Sequence, residues 1–154
     1  MRDSPARAQL LADLASSRAR LMDAIAGLTE DQMLLPDPGG WSIKGYINHL
    51  AACDEFRFQE IRRVSRGGWT TFPELERDMD VWNAIIIYQR SGIPVAQALS
   101  DLEAARSLVL EAIAAAPETA LSPDLYGNYA IDGSVAHDIG HAADIRAWRA
   151  KEGF

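Results

Sequence analysis

Two of the three histidines in the chain, His137 and His141, stand four residues apart in the segment GSVAHDIGHAADIRAWRAK, residues 133–151. On a helix this spacing places both imidazoles on one side, one turn apart. At about 100° per residue, Asp144 and Trp148 fall on the same narrow stripe. Paired imidazoles on one helix face are typical of half a metal site. The alternative is chance, because three randomly placed histidines give a one-turn spacing on the order of 5–10% of the time.

The third histidine, His49, is predicted to point inward from a different helix. It falls between Phe56 and Cys53 on the apolar arc of that helix. An inward histidine is either a hydrogen-bonded core residue or a ligand. Cofactor sites in helical bundles are built from side chains on facing helices, so His49, His137 and His141 would supply ligands from two of them.

Three neutral imidazoles predict a divalent metal ion such as Zn²⁺, Ni²⁺, Fe²⁺ or Cu²⁺. A shell of three protein ligands leaves one position open for water or a substrate atom. Cys53, one turn after His49, is either a fourth ligand or a small buried hydrophobic residue. Asp144, the candidate catalytic residue, either orients a histidine, acts as a base, or is an ordinary exposed carboxylate.

Hydrophobic periodicity predicts four long helices and one short helix that position these residues. The long helices are predicted near 5–27, 42–65, 94–115 and 133–151, and the short one near 79–90. Glycine and proline residues separate them, and the polar segment 117–132 is predicted to be a loop, in which LYGNYAI is also compatible with a short extended piece. The fold class is therefore all-α, a four-helix bundle with an additional short helix in a single domain, 1–154.

Several local interactions are predicted at the helix ends and surfaces. Ser42 is a candidate N-cap, with Trp41 packing on Tyr46 as a hydrophobic staple. Thr29–Gln32 is typical of a short capped turn, and Asp132 is a candidate cap for the last helix. Glu103 and Arg106 are predicted to pair on the surface because they lie one turn apart.

The overall composition excludes several classes of protein. A formal net charge of −7 and a pI near 4.9 argue against a nucleic-acid partner, which requires clustered Lys and Arg. No apolar run approaches the roughly 18 residues of a membrane span, so we expect a soluble protein. The charged amino terminus lacks a signal core and the single Cys53 allows no internal disulfide, which favours the cytoplasm.

Three segments of the chain resemble the DinB-like superfamily. They are a histidine inside a helix after Gly-Trp-Ser (GGWSIKGYINHL), a Trp-Asn helix followed by a basic residue and Pro (DVWNAIIIYQRSGIP), and a closing H-x-x-x-H helix (HDIGHAADIRAW). The resemblance covers nearly the whole chain. It implies a four-helix bundle in which the matching His49, His137 and His141 bind a divalent metal, namely Zn, Ni or Fe. It also suggests a homodimer, which the apolar NAIIIY segment favours.

The superfamily includes mycothiol-dependent maleylpyruvate isomerase, bacillithiol transferase and hydrolases that protect against reactive metabolites, so the fold alone does not choose the reaction. The resemblance implies a metal that holds either a low-molecular-weight thiol as thiolate or a water molecule. Lys44, Arg57 and Arg146 are the candidates, by proximity in sequence, for binding the carboxylates of such a thiol.

Three functions remain open at this point. The first is a metal-dependent transferase or isomerase that uses a thiol to attack an electrophilic small molecule. The second is a metal-dependent hydrolase that uses water. The third is a non-enzymatic stress-response module in which the site stabilises the bundle or sequesters a ligand. Trp41 and Trp82 either line a pocket for an apolar ligand or belong to the core.

Overall fold

The computed structural model describes residues 5–37, 39–71, 77–126 and 131–154. Within these ranges the protein is all-α, with six α-helices and no strand. The helices are α1 Pro5–Ile25, α2 Glu30–Leu34, α3 Ile43–Val64, α4 Met79–Gln89, α5 Val95–Ala115 and α6 Gly133–Glu152. The predicted all-α helical bundle is confirmed. Two 3₁₀ helices, Glu118–Leu121 and Pro123–Leu125, lie within the predicted loop.

The helix that carries His49 begins where the sequence predicts. The Ser42 hydroxyl accepts a hydrogen bond from the backbone N–H of Gly45 at 3.1 Å and so caps α3. The Trp41 and Tyr46 rings pack with their centroids 5.3 Å apart, as the predicted staple requires. These two local contacts fix the start of α3 and therefore the direction in which His49 points.

The short predicted turn after α1 is the start of the five-residue helix α2. Thr29 and Gln32 form a reciprocal capping box there, which satisfies two backbone donors at the helix start. The preceding Gly27 adopts a φ of 80°, a left-handed conformation that glycine reaches without steric strain and that ends α1 two residues earlier than predicted.

Two of the predicted surface interactions are wrong. Arg106 is only 4% exposed and its guanidinium points into the bundle, so it does not pair with Glu103 on the surface. Asp132 precedes α6 but makes no side-chain capping bond. Most of the predicted extended piece LYGNYAI lies outside the described residues, because the described ranges omit 127–130.

The four long helices are arranged as two pairs. α3 packs mainly against α5, and α1 packs mainly against α6. Apolar residues from both pairs fill the interior in two clusters, one around Leu21, Ile47 and Leu102 and the other around Leu14 and Ile61. We call the boundary between the α1/α6 pair and the α3/α5 pair the seam. The candidate ligands lie on both sides of it.

The fifth helix of the predicted set, α4, lies outside the four-helix bundle against α3. It contains no buried residue, and the side chains of Val81, Ile85 and Tyr88 are exposed. Among the residues described, no helix combines the length and apolar character needed to cross a membrane.

Candidate metal centre

The structure brings the three predicted histidines together across the seam. His137 Nε2 lies 3.0 Å from His49 Nε2 and 3.0 Å from His141 Nε2. The ring centroids of His49 and His141 are 5.6 Å apart. Nitrogen ligands of a tetrahedral zinc ion lie about 3.3 Å from one another, because each is about 2.0–2.1 Å from the metal. Each of these two pairs of nitrogens is therefore spaced almost as it would be around one ion, whereas the rings of His49 and His141 are the most widely separated pair of the three.

Cys53 contributes a sulfur atom to the same place. Its Sγ lies 3.7 Å from His49 Nε2, and the ligand atoms of His49, Cys53 and His137 all lie within 4.8 Å of one another. These three residues form a candidate metal site of two nitrogens and one sulfur. The two candidate sets share His49 and His137 and differ in whether His141 or Cys53 is the third donor.

The protonation states of the histidines suit a metal. Burial and the neighbouring His141 lower the pKa of His49 to about 4. Burial, both other histidines and the cationic Arg57 and Arg106 lower the pKa of His137 to about 3, and burial also lowers the pKa of His141. All three rings are therefore neutral at pH 7, the form that binds metals. Three neutral rings that face one another suit a divalent cation, which would bind the tautomers that leave these nitrogens unprotonated.

The thiol of Cys53, unlike the histidines, is not in its metal-binding form in the metal-free protein. Burial raises its pKa to about 12, although the nearby Arg57 acts in the other direction. The group is therefore a neutral thiol in the metal-free protein, and it would have to lose a proton to become a strong ligand. A bound cation itself removes the proton of a coordinating thiol, so this pKa leaves both Cys53 and His141 open as the third donor.

Asp144 lies at the edge of the site and not inside it. Its carboxylate is 3.5 Å from His141 Nδ1, longer than a normal hydrogen bond, and its side chain is 64% exposed. A carboxylate on this side of the ring can orient His141 through Nδ1, leaving Nε2 for an ion. Among the described residues the buried Nδ1 of His141 has no hydrogen-bond partner, so Asp144 would have to move closer to orient the ring.

Aromatic rings surround the histidines. The Trp41 ring centroid lies 5.2 Å from that of His49, the Trp82 centroid 6.3 Å from it, and the Tyr46 centroid 4.9 Å from that of His141. On the other side of Trp41, an open cleft of about 630 Å³ runs between the 40–41 turn and α4. Both tryptophans are only partly buried, so they line the site instead of belonging to the closed core.

The three basic residues proposed from the sequence are engaged elsewhere. Lys44 Nζ donates to the Ser91 carbonyl at 2.7 Å, and Arg146 pairs with Asp23 at 3.1 Å. Arg57 is 5% exposed and its guanidinium donates to the Ser134 hydroxyl. Of these three, Arg57 is the one whose charge acts on His137.

The sequence patterns above do not predict a group of buried charged residues that lies next to the histidines. It consists of Arg18, Asp54, Arg106 and Asp138, one from each long helix. A signal was present, because Arg18 interrupts the apolar stripe four residues after Leu14. A charge at a core position indicates a buried partner.

The family model described as the DinB superfamily matches residues 13–148. The matched range contains every candidate ligand named above. No curated protein and no solved structure matches the chain.

Proposed function

The chain belongs to the DinB superfamily, and from this membership and the facing imidazoles we propose that it is a metal-dependent enzyme whose ion is held by His49, His137 and His141. The observation that carries the proposal is the position of His137 Nε2, 3.0 Å from an imidazole nitrogen on each side. The donors are nitrogens of borderline softness, which suit Zn²⁺, Ni²⁺ or Fe²⁺.

We propose that the nucleophile is a low-molecular-weight cellular thiol. When bound, an ion with three protein ligands offers a free position for sulfur and lowers the pKa of the thiol. The sulfur then donates an electron pair to an electrophilic carbon of a small molecule, the S–C bond forms, and the displaced pair leaves with the leaving group or moves into a conjugated acceptor. The thiol proton goes to solvent. The thiol-using enzymes that the resemblance brings in support a thiol nucleophile, and the hydrolases of the same superfamily make water the alternative that a thiol-free assay tests.

The protein's own residues have three tasks in this reaction. The neutral rings of His49, His137 and His141 would hold the ion without adding negative charge, which would leave the ion's positive charge free to attract an anionic sulfur. On moving closer, Asp144 would keep His141 in the orientation that leaves Nε2 inward. The rings of Trp41 and the other aromatic residues around the site limit access of water and favour an apolar electrophile.

The function is tested by turnover of a chromogenic aryl halide by the metal-loaded protein, with and without added thiols such as cysteine derivatives. We expect turnover only when both metal and thiol are present, above the rate of the thiol alone. Turnover of ester or amide substrates without any thiol would contradict the proposal and favour the hydrolase. Absence of turnover with every thiol, despite tight metal binding, would favour a binding protein.

Replacing Cys53 by alanine is expected to leave metal affinity and thiol-dependent turnover within about threefold of the parent. The reason is that the buried thiol, with a pKa of about 12 in the metal-free protein, is neutral there, whereas His141 can complete the proposed shell without losing a proton. Co²⁺ substitution provides the measurement, because a cobalt–thiolate bond gives a charge-transfer absorption that an all-nitrogen site lacks. Loss of such a band in Cys53→Ala would instead place Cys53 in the metal shell. An inactive variant that still binds metal would make Cys53 the nucleophile.

We also propose a homodimer formed through α4. The exposed fractions of Val81, Ile85 and Tyr88 are 60%, 50% and 81%, which gives this helix an unusually apolar outer face. Replacing Ile85 by glutamate is expected to convert a dimer into a monomer in sedimentation at micromolar concentration. Leu108→Glu, on the exposed face of α5, is the matched control and should leave the dimer intact. A monomeric parent protein would remove the proposal.

A further inference from the structure

Four charged side chains meet in the centre of the bundle, one from each long helix. Arg18 of α1 lies 2.9 Å from Asp54 of α3 and 3.1 Å from Asp138 of α6. Arg106 of α5 lies 2.9 Å from Asp54 and 3.1 Å from Asp138. Each guanidinium therefore contacts both carboxylates. We refer to these four residues as the charge cluster.

The charge cluster is closed to solvent and internally satisfied. Its four members are between 0% and 7% exposed. Arg18 also donates to the Leu102 carbonyl at 2.9 Å, and Arg106 donates to the Leu14 carbonyl at 3.1 Å. Within the cluster two positive charges face two negative charges, and the buried Arg57 nearby also acts on Asp54, Arg106 and Asp138. Such clusters are weak evidence for stability, because well-packed apolar residues of similar size often stabilise a protein as well or better. A different role must then be considered.

The charge cluster joins the same two helix pairs as the candidate ligands. Arg18 and Asp138 belong to the α1/α6 pair, whereas Asp54 and Arg106 belong to the α3/α5 pair. His49 on α3 and the histidine pair on α6 face each other across the same seam. Apolar surfaces can slide over one another at little cost. A guanidinium that contacts two carboxylates through directed hydrogen bonds allows much less movement.

The sequence places the two groups side by side along both helices. Asp138 directly follows His137 on α6, and Asp54 directly follows Cys53 on α3. A displacement of one helix pair along the seam would therefore change the separation of the ligands by a similar amount. Metal ligands tolerate only small errors in position, since each nitrogen must lie about 2.0–2.1 Å from the ion.

We propose that the charge cluster is a positioning element of the metal centre, which fixes the register of the two helix pairs so that His49 and His137 meet around one ion. This inference rests on the metal site of the proposed function. It assigns Arg18, Asp54, Arg106 and Asp138 no contact with the ion or the substrate. Their effect reaches the ion through the position of α6 relative to α3.

Arg106→Lys is the decisive variant. It preserves the net charge of the cluster, but the single ammonium cannot contact both carboxylates as the guanidinium does. We expect its Zn²⁺ dissociation constant, measured by competition with a chelating dye, to rise on the order of 10–100-fold, the range seen when outer-shell support of metal ligands is removed. We also expect an altered absorption spectrum of bound Co²⁺, because the ligand geometry changes.

Val109→Ala is the matched control. Val109 lies on the same helix, fully buried in the second apolar cluster, and truncating it destabilises the bundle without touching the charges. Its Zn²⁺ affinity and Co²⁺ spectrum should equal those of the parent, even at the same loss of thermal stability as Arg106→Lys. Equal weakening in the two variants would show a merely structural role and overturn the inference.

The remaining outcomes separate the inference from the function on which it rests. A parent protein that binds neither Zn²⁺ nor Co²⁺ would overturn both. A parent that binds metal, together with an Arg106→Lys variant of unchanged affinity and spectrum, would overturn the inference alone. If Arg106→Lys fails to fold, Arg18→Lys provides the same comparison from α1, since Arg18 also contacts both carboxylates.

Discussion

Replacing His137 by alanine is expected to abolish metal binding and, with it, thiol-dependent turnover. His137 Nε2 lies 3.0 Å from the Nε2 atoms of both His49 and His141, so its removal takes away the donor that contacts both of the others. Loss of a direct ligand should exceed the roughly 10–100-fold effect of losing outer-shell support. We expect the Zn²⁺ dissociation constant to rise by more than about 100-fold.

The fold should survive this change. Alanine favours helix more than histidine does, and the substitution removes a polar ring that is desolvated in the absence of metal. Circular dichroism should therefore show an unchanged helix content, while metal analysis and chelator competition report the loss of the ion. A His137→Ala variant that binds Zn²⁺ as tightly as the parent would refute the site.

Three further substitutions show how specific this effect is. Asp144→Ala removes only an exposed carboxylate 3.5 Å from the site, so its loss of affinity should be much smaller, within about 10-fold. His141→Ala compared with Cys53→Ala identifies the third donor, since only one of them should lose tight binding. The three variants together distinguish an ion held by imidazoles from one that uses the sulfur.

The helices were predictable because their signals are local. Ser42 caps α3, Trp41 packs on Tyr46, and the capping box of Thr29 starts α2, each within a few residues of sequence. The direction of His49 also followed from one helix alone, since a helical arc needs no knowledge of its neighbours. When two helices of a small bundle both point histidines inward, those side chains lie close together in the interior.

The charge cluster was not predictable in the same way. Arg106 was assigned to the surface because Glu103 lies one turn away, a pairing rule that considers a single helix. Its actual partners, Asp54 and Asp138, are on two other helices. Which charged residues are buried depends on the register between the helices. The sequence of a single helix does not determine that register.

The cleft beside the site could not be predicted from the sequence for a related reason. Trp41 and Trp82 were equally compatible with a closed core or a pocket, since both are large and apolar. The placement of α4 outside the four-helix bundle leaves both rings partly exposed beside His49. The packing of α4 against α3 therefore decides whether the two tryptophans are exposed. The hydrophobic periodicity of either helix does not specify this packing, because α4 makes few contacts with α3.

The stability of the metal-free protein is expected to fall steeply as the pH drops below about 6.5. The folded state holds the pKa of His49 at about 4 and that of His137 at about 3, mainly because burial disfavours their charged forms. In the unfolded chain both titrate near 6.5. Between these values the unfolded chain binds more protons than the folded one, so acid favours unfolding. The contribution is fully present above pH 6.5 and is lost towards pH 4 and then pH 3.

Each histidine approaches a cost of about 1.4 kcal/mol of unfolding free energy per pH unit once the pH is well below 6.5, so the two together cost roughly 3 kcal/mol between pH 6.5 and 5. This is a large part of the stability of a domain of this size. Urea unfolding of chelator-treated protein at a series of pH values measures it. In His137→Ala the unfolding free energy should change with pH about half as steeply. Added Zn²⁺ should stabilise the parent protein at pH 7 and progressively less at lower pH, because protons compete for the same nitrogens. A metal-free protein equally stable at pH 7 and pH 5 would show that the rings are not held neutral, and the facing arrangement of His49 and His137 would then be wrong.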